Sequence, residues 1–478
     1  METVIGADAR ERWSSAPAVY ILGDSVAKLV APKRRDRAGW GEELERLFTD
    51  EVRVYNFSRK DWSVLRAAEI FLPSVLNTLR RGDIVLIAYG HVDQQLHRHD
   101  RYVAPADFRY VLGRMAERVR ERGGVPVFVT QAARSGFYED GTVIDATGGY
   151  AELVRKAAAA HEVPVLDLHE LTARLFRSIG PHETRLYFNW FGAGELPELP
   201  EGQIDTSNFN RAGCARVAAL IAEELRSQGL VEARWFQSPA PVPPPLPGRA
   251  EWDTARIEAE LARRAGVPEL PVEVTFQDPA PGTVVLPRRR FRGTAGKGVR
   301  HLVFFMDGRP VGETTVGPKG TWLWRLAYYW PEGRHTLTAI GLTDKAATIP
   351  VELPLRVIAT LEAPTVTHPL RGRFVSGGRP VLAGVARNAP MVVVLHQGRR
   401  IGEAKVDDSG RWSFTPPDPW PAGQHTVRVV ACHGMVVSPP ADWRVEVMET
   451  VAPPPELPGA DTLPTAFREW WPVVRSEP

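Results

Sequence analysis

The first residue in the chain placed to do chemistry is a serine at the end of a short apolar run. Residues 19–22 (ValTyrIleLeu) lead into Gly23-Asp24-Ser25. A serine there, opening a helix, can stand as an exposed nucleophile with backbone N–H groups around it. The same tripeptide also serves as an ordinary helix cap. Four more apolar runs end on polar residues: 52–55 on Asn56, 84–89 on Gly90-His91-Val92-Asp93, 125–130 on Gln131 through to Arg134, and 163–166 on Asp167.

These runs are the elements that must hold such a site. Each is four to six residues long and is followed by turn residues and then a helical pattern, which predicts a doubly wound parallel α/β sheet. Ligands of such sheets sit outside the carboxyl ends of the strands, so the residues after each run should converge.

Five ordered blocks then carry a resemblance: IleLeuGlyAspSer at 21–25, GlyTrpGlyGluGluLeu at 39–44, Asn56, GlyAspIleValLeuIleAlaTyrGlyHisValAsp at 82–93, and AspThrSerAsnPheAsnArgAlaGly at 205–213. Together they resemble the SGNH or GDSL hydrolases, in particular the rhamnogalacturonan acetylesterase-like branch, over most of the first 230 residues. The resemblance implies a flavodoxin-like sheet and serine-based ester hydrolysis, commonly removal of acetyl groups from carbohydrate. By position, Ser25 matches the nucleophile and Asp205 the acid that orients the histidine. The histidine's own position, three residues after that acid, holds Asn208, whose amide does not titrate near neutral pH. The family's oxyanion asparagine is Val92 here, and its glycine region reads ArgLysAspTrpSer at 59–63. Losing a base costs on the order of a million-fold and losing one oxyanion donor about 100- to 1,000-fold. A replacement base would have to come from His91, His97 or His99, which follow the third strand.

Beyond this block the chain is modular. At 478 residues it suggests several domains, and a net charge of +2 gives no field to attract nucleic acid or an anionic membrane. Cys214 and Cys432 fall in different predicted domains, which argues against a disulfide framework or a metal cluster. No dinucleotide fingerprint, P-loop or zinc spacing appears, so no cofactor and no metal are expected. Neither a basic-then-apolar leader at residues 1–10 nor an apolar run of the roughly 18–20 residues needed for a membrane span is visible. The basic runs 33–37 and 288–290 read as solvated loops.

Prolines 239, 241, 243, 244, 245 and 247 mark an extended spacer, and residues 252–265 read as a short helix acting as a brace. From about 271 to 448 the chain repeats with a period of 90. Gly308, Gly312, Trp322, Trp330, Pro331 and His335 recur as Gly398, Gly402, Trp412, Trp420, Pro421 and His425. Such a period predicts two all-β sandwiches, and the halves resemble bacterial Ig-like domains. The expected division is an extension to 16, an SGNH-like domain at 17–235, a linker at 236–270, β modules at 271–359 and 360–448, and a proline-rich tail at 449–478. Trp322 and Trp412 are expected in the module cores, with sugar stacking as the alternative, and His335 and His425 are expected to be structural. Trp470 and Trp471 are expected to pack back on a neighbouring module or to dock on a partner.

The expectation for function is a non-catalytic descendant of a carbohydrate esterase. It would serve as a glycan-binding or structural module, with a carbohydrate or protein partner, in a surface, appendage or phage-type assembly. The competing expectation is an active O-acetylesterase using Ser25 with a relocated base.

Overall fold

A computed structural model of the chain describes residues 16–28, 39–237, 254–264, 272–287, 289–369, 374–376 and 378–448. The N-terminal ten residues, the basic run at 33–37, Arg288, the proline spacer at 239–247 and the tail with Trp470 and Trp471 lie outside the described residues. The chain divides between Leu361 and Glu362 into two compact units.

The first unit opens with β1 (Ala18–Gly23), β2 (Arg53–Asn56), β3 (Ile84–Ala88), β4 (Val125–Val129) and β5 (Val165–Leu166), paired in parallel in the order β2-β1-β3-β4-β5. This is the flavodoxin-like order, and its strands match the apolar runs read from the sequence. Alternate side chains of a strand point to opposite faces, and the two apolar cores follow that period. Val19, Ile21, Ile84, Leu86 and Val127 share one core, whereas Tyr20, Leu22, Val85, Ile87 and Phe128 share the other. Helices α1 (Trp40–Glu45), α2 (Val64–Ile70), α3 (Leu72–Thr78), α4 (Pro105–Glu121), α5 (Tyr150–Ala160), α6 (Leu168–Thr184, broken at Gly180) and α7 (Arg211–Ser227) cover the two faces. Between α6 and α7 an antiparallel hairpin, β6 (Phe188–Phe191) and β7 (Gln203–Phe209), stands apart from the parallel sheet.

The same unit continues through α8 (Thr254–Arg264), the brace read from the sequence. It buries Ile257 against Val303 and Leu342 and ties Arg264 to the carbonyl of Thr343. The β module it covers consists of β8 (Val274–Asp278), β9 (Val284–Val285), β10 (Phe291–Ala295), β11 (His301–Met306), β12 (Arg309–Thr315), β13 (Thr321–Trp324), β14 (Gly333–Leu342) and β15 (Val351–Val357). Its sheets run β13-β10-β8 and β12-β11-β14-β15-β9, and residues from both meet in one core that includes Phe291, Phe304, Trp322, Trp324 and Leu337.

The second unit repeats the eight strands of the first module in order and adds a ninth. It is made of β16 (Thr365–His368), β17 (Phe374–Ser376), β18 (Leu382–Val385), β19 (Met391–His396), β20 (Arg399–Lys405), β21 (Arg411–Phe414), β22 (Gly423–His433), β23 (Val436–Val437) and β24 (Ala441–Met448). The corresponding sheet orders, β16-β18-β21 and β17-β24-β22-β19-β20, are the same, with β23 added beside β22. This architecture is consistent with Ig-like domains. Trp322 and Trp412 are both buried. His335 and His425 each bring Nε2 to the carbonyl of the proline four residues earlier, Pro331 at 3.0 Å and Pro421 at 2.8 Å. A partly buried ring nitrogen held by a backbone carbonyl explains why the histidine recurs with the repeat.

Candidate active site

The carboxyl ends of β1 and β3 and the hairpin strand β7 enclose a polar cavity of about 270 Å³. Ser25, His91, Asp205 and Asn208 all line it, together with Lys28, Lys60, Asp61, Gln95, Asn189 and Ser207. The structure therefore brings these four sequence-predicted residues to one place. His97 and His99 do not line the cavity. Neither does Asp167, whose carboxylate accepts from Arg155 at 2.8 Å and Thr130 at 3.0 Å.

The turn that presents Ser25 is pinned by the GlyTrpGly block and Asn56. Trp40 N–H donates to Val26 O at 3.2 Å, and Asn56 Nδ2 donates to Ala27 O at 2.8 Å. A Cβ at Gly41 would lie 2.5 Å from Asn56 Nδ2 and 2.7 Å from Ala27 O, so only glycine lets α1 approach this closely. The turn is thus held from two sides before any ligand arrives.

Ser25 Oγ accepts a hydrogen bond from Asp61 N–H at 3.2 Å. Asp61, in the stretch expected from the resemblance to match the family's glycine region, has φ of 64°, a left-handed conformation that aspartate tolerates better than most residues. A backbone donor is therefore aimed at the serine. The Asp61 side chain turns to Arg101, with Nη1 to Oδ1 at 2.8 Å. Trp62 stacks on Phe71 at 4.5 Å instead of filling the cavity.

Across the cavity, Asp205 is fully engaged. Its Oδ1 accepts from Ser207 N–H, Ser207 Oγ and Asn208 N–H at 2.9–3.0 Å, and its Oδ2 accepts from Asn208 Nδ2 at 2.7 Å. Asn208 makes the bond to the acid that a histidine at this position would make, but an amide has no proton-accepting nitrogen to offer the serine. Val92 is buried and its hydrocarbon side chain has no donor to bring to the cavity, while its N–H is spent on the Asp24 carboxylate.

His91 is held neutral, well below the usual histidine range, by burial and by the neighbouring Arg134 charge. Arg134 Nη2 lies 3.2 Å from His91 Nδ1. A guanidinium only donates, so Nδ1 accepts and the proton of the neutral ring sits on Nε2. In this arrangement His91 offers the cavity a donor, not a base.

Beneath these residues lies a buried charge cluster that the sequence only partly disclosed. Burial pushes Asp24 and Asp93 up to about 7. Asp93 takes N–H groups of Val64 and Gly90 at 2.8 Å, linking the start of α2 to the end of β3. Burial lowers Arg134 to about 10, while Asp205 and Asp24 oppose the shift, so it remains the countercharge to both acids. Asn189 was not singled out by sequence. It lines the cavity, gives Nδ2 to Phe209 O at 3.0 Å, and leaves its buried Oδ1 without a partner. Its position on β6 carries no turn or motif signal. Among the described residues there is no grouping of histidine, cysteine and acid side chains able to hold a metal, and no helix long and apolar enough to cross a membrane.

Comparison with known proteins agrees with the first domain's architecture. Residues 21–193 match the model of the GDSL-like Lipase/Acylhydrolase family. The chain is 33% identical over 213 residues to rhamnogalacturonan acetylesterase RhgT of Bacillus subtilis, covering 44% of this chain and 90% of that protein. It is 24% identical to the probable rhamnogalacturonan acetylesterase YesY of the same organism, covering 44% of this chain and 94% of the relative. A solved structure of Bacillus subtilis YxiM aligns at 24% identity over 45% of this chain and 57% of that one, with a TM-score of 0.39. A serine-bearing turn after β1, an acid on β7 and identity at a third of the 213 residues aligned with an acetylesterase, over nearly that relative's whole length, place the chain, through its first domain, in the GDSL-like lipase/acylhydrolase family.

Proposed function

We propose that the first domain is a carbohydrate-binding descendant of this esterase family that has lost the family's triad turnover. The carrying observation is the 2.7 Å bond from Asn208 Nδ2 to Asp205 Oδ2, which fills the histidine's role toward the acid with a group that cannot take the serine's proton. The His91 tautomer set by Arg134 supports the same reading. The cavity stays open and polar, rich in the hydroxyl, amide and charged groups that recognise sugar hydroxyls. The relatives' names make acetylated rhamnogalacturonan the first ligand to try. With its Ig-like modules, the protein would act as a glycan-binding or structural part of a surface, appendage or phage-type assembly.

Calorimetric titration with acetylated and deacetylated rhamnogalacturonan oligosaccharides tests this, with Ser25→Trp as the variant that fills the cavity. Binding by the native chain and at least about tenfold weaker binding by Ser25→Trp is the expected pattern. Equal heats from both proteins would remove the cavity from the account.

A second reading, an active O-acetylesterase working through Ser25, draws support from the Asp61 N–H retained at Ser25 Oγ and from His91 lining the same cavity. It requires His91 to give up Arg134 and expose a lone pair. Turnover abolished by both Ser25→Ala and His91→Ala would favour it.

A further inference from the structure

We infer that the first β module is part of the site, holding the β6–β7 hairpin and with it Asp205 and Asn208 in position. This rests on the reading of the cavity as the binding site. Two segments carry the acid side of that cavity: β7, and the loop after β4 that bears Arg134. They are tied to each other, since Ser135 N–H donates to Thr206 O at 3.0 Å.

The module grips both segments close to the functional residues. Arg290 Nη1 donates to the carbonyl of Ile204, the residue before Asp205, at 3.3 Å. Tyr329 N–H donates to the carbonyl of Phe137, three residues after Arg134, at 2.7 Å. Where the chain leaves β6, Thr315 Oγ1 donates to Ala193 O at 2.6 Å. Side chains reinforce these bonds. Arg325 is buried with its guanidinium 5.6 Å from the Trp190 ring, and Leu323 and Tyr328 pack on the esterase core that contains Phe137 and Ile204. The backbones approach so closely that a Cβ at Gly317 would lie 2.6 Å from Pro200 O.

The hairpin has need of such support. It is two strands only, outside the parallel sheet, with a register irregularity between Phe188 and Trp190. A two-stranded ribbon is marginal on its own, whereas site groups must be held to within about 0.5 Å of their working geometry. The module supplies the layer that the parallel sheet does not. Arg290 and Thr315 are accordingly positioning residues, acting on Asp205 and Asn208 through the backbone of β6–β7.

Hydrogen–deuterium exchange of the full chain, native against Arg290→Gln/Thr315→Val, tests this without requiring catalysis or a known ligand. Exchange across 203–209 should quicken at least about tenfold on losing the two bonds, with β1 and β3 as protected as before. Thr315→Ser, which keeps the hydroxyl, should behave as native. Unchanged exchange at 203–209 would overturn the inference, and so would an equal rise across β1 and β3, which would mean general stabilisation only. If the double variant loosens the hairpin but the native chain binds no rhamnogalacturonan oligosaccharide, the cavity reading fails and the positioning stands. If the native chain binds and the hairpin does not loosen, the positioning fails alone.

Discussion

At the scale of single residues, the proposed loss of turnover turns on two positions, Asn208 where a proton acceptor is needed and Val92 where a donor is needed. Asp205 already points a carboxylate oxygen at position 208, and Asp61 N–H already faces Ser25 Oγ. Asn208→His should therefore raise turnover of a generic aryl acetate at least about 100-fold above the native chain, in a Ser25-dependent manner. The result should still fall about 100- to 1,000-fold short of a complete site because Val92 supplies no oxyanion donor; initial rates with and without Ser25→Ala check both statements. The buried acids give a pH prediction. Asp93 has a folded-state pKa of about 7 against an ordinary 3.8, so between those values the folded chain binds the extra proton. Its stabilising contribution is complete below about pH 4 and is lost as pH rises through about 7. Asp93→Asn should remove up to ~1.4 kcal/mol per pH unit of that falling slope between pH 4 and 7, as read by urea denaturation at several pH values. Below about pH 4, where the native carboxyl is neutral, it should lower stability, because an amide cannot accept from both Val64 N–H and Gly90 N–H; the deficit should shrink as pH rises towards 7.

Among the elements, the loop after β4 matters most, because it carries Arg134 beneath Ser25's turn and beside β7. Arg134→Met would leave Asp24 and Asp205 without their countercharge and His91 Nδ1 without its donor. Removing one partner of a buried charge cluster costs about 3–5 kcal/mol, which chemical denaturation should show as a fall in midpoint. The parallel strands were legible in the sequence because each is a short apolar run closed by turn residues, and that local signal survives in any context. Ser25, Asp205 and Asn208 were legible because they sit in ordered blocks. Arg134 was named only as the end of a run of residues after the fourth strand, since its importance depends on which acids the fold brings to it. The donor at Asp61 was hidden for another reason: a backbone N–H is present at every residue but proline, and only the φ of 64° reveals its aim.

At the scale of the molecule, the period of 90 residues foretold two modules of equal topology, and the strands obey it from β8 to β24. It could not foretell that the first module joins the esterase domain in one compact unit, because the bonds that join them run from Arg290, Thr315 and Tyr329 to backbone carbonyls. The brace helix α8 belongs to that unit too. Ile257, fully buried on Val303 and Leu342, should cost about 2–5 kcal/mol when cut to alanine, read as a lowered thermal midpoint. The central claim, that Asn208 ends triad turnover while the cavity remains, is tested most directly by acetate release from acetylated rhamnogalacturonan, comparing the full native chain with Ser25→Ala at equal concentration. The account predicts the same background rate for both proteins. Release that depends on Ser25 would contradict it and would make the ester hydrolase reading the correct one.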